Sequence, residues 1–378
     1  MSQPTAVEIV KTVHSGEQTP LDTVRAALER AGNIGQLDAL VELFTDEAIA
    51  AATELGKRSD LASLPLAGLP VLIKDCIPVA GHPMRIGSLA TSPEPQSDDH
   101  EVVKRLKQAG AIVIGITRVP ELCIFGSTDS PYGTSRNPWN TQFSTGGSSG
   151  GTAAVVASGV VPVAHGADGM GSIRIPSASC GVFGIKPGLG LVPADMGYDS
   201  WGHMSENGPV ATTVEDAALM LSVMAAEPAL AEVTEPQVPL RIAIASNTPS
   251  FLVRLSKPWA TALDDAADTL REAGHTVEIV PFGYPLNILP LLARWFVGTA
   301  NDARELDINK LAPRSRWHVK MGHLAIKLGW VKEKTRKEKA AAAHEFFKNH
   351  DILVTPMLAA SPPQAIEWHK RSWVANIW

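Results

Sequence analysis

Near the N-terminus, apolar positions recur with a helical period. Val7, Val10 and Val13 share one face, and Leu21, Val24 and Leu28 continue such a face after Thr19-Pro20, a cap followed by proline at the first helical position. Thr45-Asp46-Glu47 opens a further helix to about Leu55. The period then changes. Val71, Leu72 and Ile73 form an unbroken apolar run of buried-strand type, followed at once by Lys74 and Asp75. Residues 102–109 read as an amphipathic helix stopped by Gly110, and residues 111–117 as a strand. Residues 132–140 are rich in turn formers. Thr212 and Glu215 make a capping box for a helix over residues 213–225. A proline-containing link covers residues 228–239. Strands at 241–245 and 276–281 flank a helix at 258–273 that Gly274 ends. Residues 288–330 give mixed signals and receive no role. The charge-dense run 332–339 reads as a solvated face leading into a helix that ends near Phe347, before a late strand at 352–355. Strands alternating with helices argue for an α/β fold around one sheet.

Residues 144–188 stand apart from this alternation. They carry two glycine knots, Gly146-Gly147-Ser148-Ser149-Gly150-Gly151 and Asp168-Gly169-Met170-Gly171-Ser172, and the stretch between them has no Asp, Glu, Lys or Arg. Glycine clusters mark sharp bends or close approach. Each knot contains serine and leads into a helix start, which can hold hydroxyls beside free backbone N–H groups. Close helix–strand packing through small residues explains the composition equally well. Lys74 has two readings of the same kind. It is either a lysine snorkelling to the surface at a strand end or a desolvated amine kept neutral as a base.

Composition narrows the chemistry. The 378 residues are 45% hydrophobic and 19% charged, as expected of a soluble globular protein. A net charge of -6 gives no reason to expect nucleic acid or an anionic membrane. No stretch approaches the roughly 18 apolar residues of a membrane span. Cys76, Cys123 and Cys180 are scattered and odd in number, which suggests packing residues with reduced thiols in a cytoplasm. The knots lack the lysine of a phosphate loop, a full GxGxxG, and a GxSxG elbow. The histidines show no HExxH spacing, so neither a metal nor a cofactor is expected.

The ordered set GLPVLIKD, GGSSGG and GSIRIP resembles the amidase signature family. The strong likeness covers residues 66–188. The stretch AHGADGMGSIRIPSASCGVFGIKP is most similar to the branch of aminohexanoate cyclic-dimer hydrolases and related bacterial amidases. The resemblance implies a central mixed β-sheet flanked by helices on both faces. It implies one domain over 1–378, with a motif-bearing core at 1–225 and peripheral helices and strands at 240–378. Family members usually continue past the equivalent of Val354-Thr355-Pro356 with an Asn-x-x-Gly-x-Pro-Ala type segment. The fold is therefore expected to be incomplete at the C-terminus.

The resemblance also assigns roles. Ser172 falls on the nucleophile, Lys74 on the general base, and Ser148 on the bridging serine, which in the family goes with a cis peptide bond. The N–H groups of Gly169, Met170, Gly171 and Ser172 fall on the oxyanion hole. Many members have Thr-Asp-x-Gly-Gly-Ser where this chain has Ala167-Asp168-Gly169-Met170-Gly171-Ser172, so the Met170 side chain is expected to narrow the pocket or restrict the loop. Asp168 and Arg174 are expected to orient the loop, and Ser149 to cap the helix that follows it. Asp75 is read either as holding local structure or as solvated. The implied function is hydrolysis of a linear or cyclic carboxylic acid amide by a Ser–Ser–Lys triad through an acyl-enzyme. The implied partner is a small amide, with no nucleic acid or membrane, in a monomer or homodimer. Two alternatives stand beside it: an amidotransferase-like subunit serving a tRNA-linked reaction, and a non-catalytic remnant that binds small amides or a partner.

Overall fold

Capping at the N-terminus follows the local chemistry. Thr5 and Thr19 each accept a hydrogen bond from the backbone N–H of Glu8 or Asp22, and those carboxylates bond back to the cap backbone. These capping boxes start α1 (Ala6–His14) and α2 (Pro20–Gly32) in the computed structural model, which describes residues 3–248, 253–283 and 289–376. The buried face of α1 is Ala6, Ile9, Val10 and Val13, while Val7 is 44% exposed. Val7 was expected on that face, but it lies one helical step outside it.

Then follow β1 (Leu40–Leu43), α3 (Thr45–Leu55), β2 (Pro70–Lys74), α4 (Glu101–Gln108) and β3 (Ile112–Thr117). Four short strands, β4 (Asp129–Ser130), β5 (Gly133–Thr134), β6 (Arg136–Asn137) and β7 (Asn140–Ser144), occupy the turn-rich segment. Next come α5 (Gly150–Ala157), β8 (Val163–Asp168), α6 (Arg174–Cys180), β9 (Phe183–Gly184), the short kinked α7 (Ser200–His203), β10 (Glu206–Ala211) and α8 (Val214–Ala225). The cap of α8 is Thr213, which accepts from Asp216 N–H at 3.1 Å. The expected Thr212–Glu215 box does not form, and the cap lies one residue later.

Side-chain alternation along β2 explains why helices cover both of its faces. Val71 and Ile73 join a core with Ile9 and Val10 of α1, Val102 and Leu106 of α4, and Met220 and Met224 of α8. Leu72 points the other way, into a core with Val24 and Ala27 of α2, Ala48 and Ala52 of α3, and Ala153 to Val156 of α5. Lys74 shares the parity of Leu72, which sends its side chain toward α5. Among the described residues the strands pair in ladders of two or three. β3 pairs parallel with β2 and antiparallel with β1, while β10 lies between β8 and β9, antiparallel to both. β2 packs beside β8.

The chain forms two compact units: residues 1–233, 298–321 and 362–378, and residues 234–297 and 322–361. The boundary after Val233 falls inside the expected 228–239 link. Residues 298–321 and 362–378 belong with the motif-bearing part and not with a continuous periphery over 240–378. In the first unit, Pro363 O accepts from Ser144 N–H at 2.7 Å, and Asp129 accepts from both His369 N–H (2.6 Å) and buried Arg314 (3.0 Å). The second unit holds β11 (Arg241–Ile244), with parallel β12 (Thr276–Ile279) and β13 (Ile352–Val354) on either side of it. α9 (Lys257–Glu272) packs Leu263 and Ala267 against Ile242 and Ile244. Residues 288–330, left without a role above, contain α10 (Leu289–Asp302) and α11 (Pro313–Lys327), and α12 (Glu333–Phe346) follows. Ile288 itself lies outside the described residues.

Candidate active site

β2 ends by burying a lysine amine. Lys74 is 1% exposed, and its Nζ donates to Ser148 Oγ at 2.8 Å and to Ala167 O at 2.9 Å. The snorkelling reading of Lys74 therefore fails. Among the described residues, no carboxylate lies within ion-pair distance of its Nζ. Its backbone N–H donates to His165 Nδ1 at 3.3 Å. That contact places the imidazole proton on Nε2, which bonds Asn207 Oδ1 at 2.9 Å. Asn207 in turn donates to Pro193 O and Ala194 O. Burial pushes His165 down to about 3, so the ring stays neutral. Sequence reasoning passed over His165, whose signal was an imidazole inside an otherwise apolar strand. Asp75 is buried and accepts from the N–H groups of Arg85 and Gly87, so it holds local structure. Burial pushes its carboxyl up to about 7.

The first glycine knot lets α5 approach the strands. A Cβ on Gly151 would lie 2.5 Å from both Ala39 O and Arg118 N. The N–H groups at the start of α5 find Thr128 Oγ1 and Arg118 O. The Gly147–Ser148 peptide is cis. Ser149 occupies the N-cap position, but its hydroxyl does not cap the helix. It accepts from Ala167 N–H (3.3 Å) and donates to Ala167 O (3.2 Å). Its own N–H donates to Ser172 O at 3.0 Å, which joins the two knots directly.

Asp168 organises the second knot. It is fully buried and accepts from the N–H groups of Gly171 (2.6 Å), Ile173 (3.2 Å) and Arg174 (3.3 Å). The Arg174 guanidinium adds two bonds, at 2.8 and 3.0 Å. Burial works to raise the Asp168 carboxyl, but Arg174 and the N–H groups outweigh it and hold it below its ordinary value. The expectation for the oxyanion hole changes here. The Gly171 N–H is committed to Asp168, whereas those of Gly169, Met170 and Ser172 have no partner among the described residues. Met170 does not line the cavity beside the knot, so its side chain does not narrow it.

That cavity, ≈ 500 Å³, brings Lys74, Ser148, Asp168, Gly169 and Ser172 together. Ser172 is half-buried, and its hydroxyl makes no hydrogen bond among the described residues. Met84, Ile86, Leu122, Met196, Trp201 and Leu306 supply apolar lining. Asp302 fixes one wall by accepting from Trp201 Nε1 (2.7 Å) and Tyr198 N–H (2.9 Å), and burial pushes its carboxyl up to about 6. Asn301, Asp302, Arg304, Glu305 and Leu306 all line the cavity, although nothing in their local pattern marks them.

Asp168→Ala is expected to destabilise the protein by roughly 3 kcal/mol, because the N–H groups of Gly171, Ile173 and Arg174 lose a buried acceptor. Asp168→Asn keeps one acceptor oxygen and should lose less. Urea titration of the two variants checks the order, and equal stabilities would remove Asp168 as the organiser of the loop.

The Amidase family model matches residues 22–377. A putative amidase, AmiB2, of Mycobacterium tuberculosis strain H37Rv is 36% identical over 349 residues, which are 88% of this chain and 74% of that protein. The solved structure of a bacterial aryl acylamidase of the amidase signature family superposes with a TM-score of 0.84 at 25% identity, covering 96% of this chain and 81% of that one. The structure of a 6-aminohexanoate cyclic dimer hydrolase in complex with its substrate gives a TM-score of 0.83 at 25% identity, covering 96% and 80%.

Proposed function

The chain belongs to the amidase signature family and has its α/β fold, and from that premise we propose that it hydrolyses amide C–N bonds with Ser172, Ser148 and Lys74 through an acyl-enzyme. The observation that carries this reading is the buried hydrogen bond from Lys74 Nζ to Ser148 Oγ, in a cavity that Ser172 also lines.

A serine hydroxyl attacks an amide only when a base takes its proton. Neutral Lys74 accepts that proton through Ser148, whose hydroxyl both donates and accepts. Ser172 Oγ bonds to the carbonyl carbon, and the oxyanion forms beside the uncommitted N–H groups of Gly169 and Ser172, the two of the knot that line the cavity. Each such donor is worth roughly 3–4 kcal/mol in the transition state. Collapse of the tetrahedral species breaks the C–N bond, and the proton returns along the relay to the leaving amine. Water then attacks the Ser172 ester by the same route and releases the carboxylate. The contact between Ser172 and Ser148 forms when substrate is bound, since hydrogen bonds of this kind tighten in the Michaelis complex. Arg174 and Asp168 act by holding the loop, and Ser149 by tying it to the first knot. The apolar lining favours the acyl or aryl part of a small amide. In this reading residues 1–378 work as a single amidase signature domain.

Hydrolysis of aryl amides in the presence of hydroxylamine tests the acyl-enzyme. The expected result is release of arylamine together with the acyl hydroxamate, at a ratio to carboxylate that depends on hydroxylamine and not on the leaving amine. A ratio that changes with the leaving amine would overturn a common acyl-enzyme.

A further inference from the structure

Trp201 sits on a backbone that few side chains adopt. Ser200, Trp201, Gly202 and His203 all lie in the left-handed region, at φ 49°, 57°, 63° and 63°. Three of the four carry a Cβ, which crowds the backbone there, so such a turn persists only where its surroundings fix it. The fixing contacts come from residues 298–302. Asp302 accepts from Trp201 Nε1 at 2.7 Å and from Tyr198 N–H at 2.9 Å, with one carboxylate oxygen for each. Asn301 donates to Asp199 Oδ2 at 3.3 Å. Gly298 leaves room for the turn, since a Cβ there would lie 2.7 Å from Trp201 Cα.

The turn delivers the indole to the catalytic loop. A Cβ on Gly169 would lie 3.0 Å from Trp201 Cε3, so the ring rests directly against Gly169. The N–H of Gly169 is one of the two open donors that line the cavity. Trp201 is 6% exposed and lines the cavity together with Ser172. The other aromatic residue of the lining, Tyr198, is 62% exposed and has the Arg304 guanidinium over its ring at 3.8 Å. Trp201 is therefore the buried aromatic surface beside the reacting carbonyl. The leaving amine collects its proton from Ser148 on the first knot, whereas Trp201 rests on the second. A group held against Trp201 is then the acyl substituent.

We propose that Trp201 is the specificity-determining wall for the acyl group, selecting amides of flat aromatic acids over those of small aliphatic acids, and that Asp302 is a positioning residue acting through it. The proposal rests on the Ser172–Ser148–Lys74 reading of the site. An aromatic acyl group conjugated with its carbonyl brings its ring alongside the second knot when the oxygen meets the Gly169 and Ser172 N–H groups. There it meets an indole already held by Gly298 and Asp302, so little side-chain freedom is lost on binding.

The test compares benzanilide with acetanilide, which release the same aniline and differ only in the acyl group. In Trp201→Leu of the full chain, the ratio of kcat/KM for benzanilide to that for acetanilide should fall about fivefold, the scale of one aromatic pair, through a higher KM for benzanilide. Trp201→Phe keeps a ring and should lose less. Asp302→Ala should lower the ratio as well, and Asp302→Asn, which keeps one acceptor, should recover part of it. In the Trp201→Leu background, Asp302→Ala should move the ratio no further. A ratio unchanged in both Trp201 variants overturns the assignment and leaves the Lys74–Ser148 relay untouched. A ratio that Asp302→Ala still lowers without Trp201 removes Asp302 as a positioning residue. If Trp201→Leu instead lowers the ratio of acetanilide to acetamide, Trp201 faces the amine and the acyl assignment fails. Failure of the unsubstituted chain to hydrolyse benzanilide overturns the proposal. When a fluorophosphonate also fails to label Ser172, the underlying reading falls with it.

Discussion

Ser172→Ala abolishes both turnover and covalent labelling by a fluorophosphonate. The expected loss in kcat is about 10⁴-fold or more, the scale seen when an enzyme of this kind loses its nucleophile. Fold stability should stay within about 1 kcal/mol, because the hydroxyl is half-buried and makes no hydrogen bond among the described residues. Intact mass and peptide mapping place the adduct in the wild type. An adduct on any other serine, or Ser172→Ala with full activity, sinks the assignment. Labelling also separates an enzyme from a non-catalytic remnant, since a serine without a base does not react with the phosphonate at a useful rate.

Lys74→Met carries the second large effect. Methionine fills much of the same volume and accepts no proton, so kcat should fall about 10³-fold through loss of general base catalysis. The variant leaves Ser148 Oγ and Ala167 O without their donor, a cost of roughly 1–3 kcal/mol, which removal of a buried amine offsets in part. Thermal unfolding should therefore remain cooperative. Lys74→Arg keeps hydrogen-bond donors but cannot act as a base, and should be as slow as Lys74→Met. A folded Lys74→Met enzyme with near-normal kcat, or an active Lys74→Arg, removes Lys74 from the base role.

What could be read locally was read well. The run 71–73 specified a strand buried on both faces, because only such a strand tolerates consecutive apolar side chains. The capping residue Thr19 acts within one helical turn, so no distant part of the chain changes it. Where two neighbouring candidates competed, local reasoning failed by one step: Thr213, with Asp216, displaced Thr212 and Glu215. The glycine knots announced close approach, and Gly151 meets it with backbone on two sides.

Tertiary structure decided which groups are free to meet a substrate. Asp168 spends the Gly171 N–H on loop geometry, and Ser149 spends its hydroxyl on Ala167 in place of a cap. Neither follows from residue type, because a hydrogen-bond donor has no fixed partner until the fold brings acceptors near it. The cavity wall at Asp302 to Leu306 stands more than a hundred residues from Ser172 in the chain, with no period or motif to tie it there. By itself, the sequence determined the strand that ends in Lys74, the two serine-bearing knots and the family they belong to, since each rests on short-range backbone preferences. Only the packed chain decided the buried Lys74–Ser148 contact, the N–H groups left open and the shape of the cavity. These depend on side chains from distant segments being packed together around one cavity.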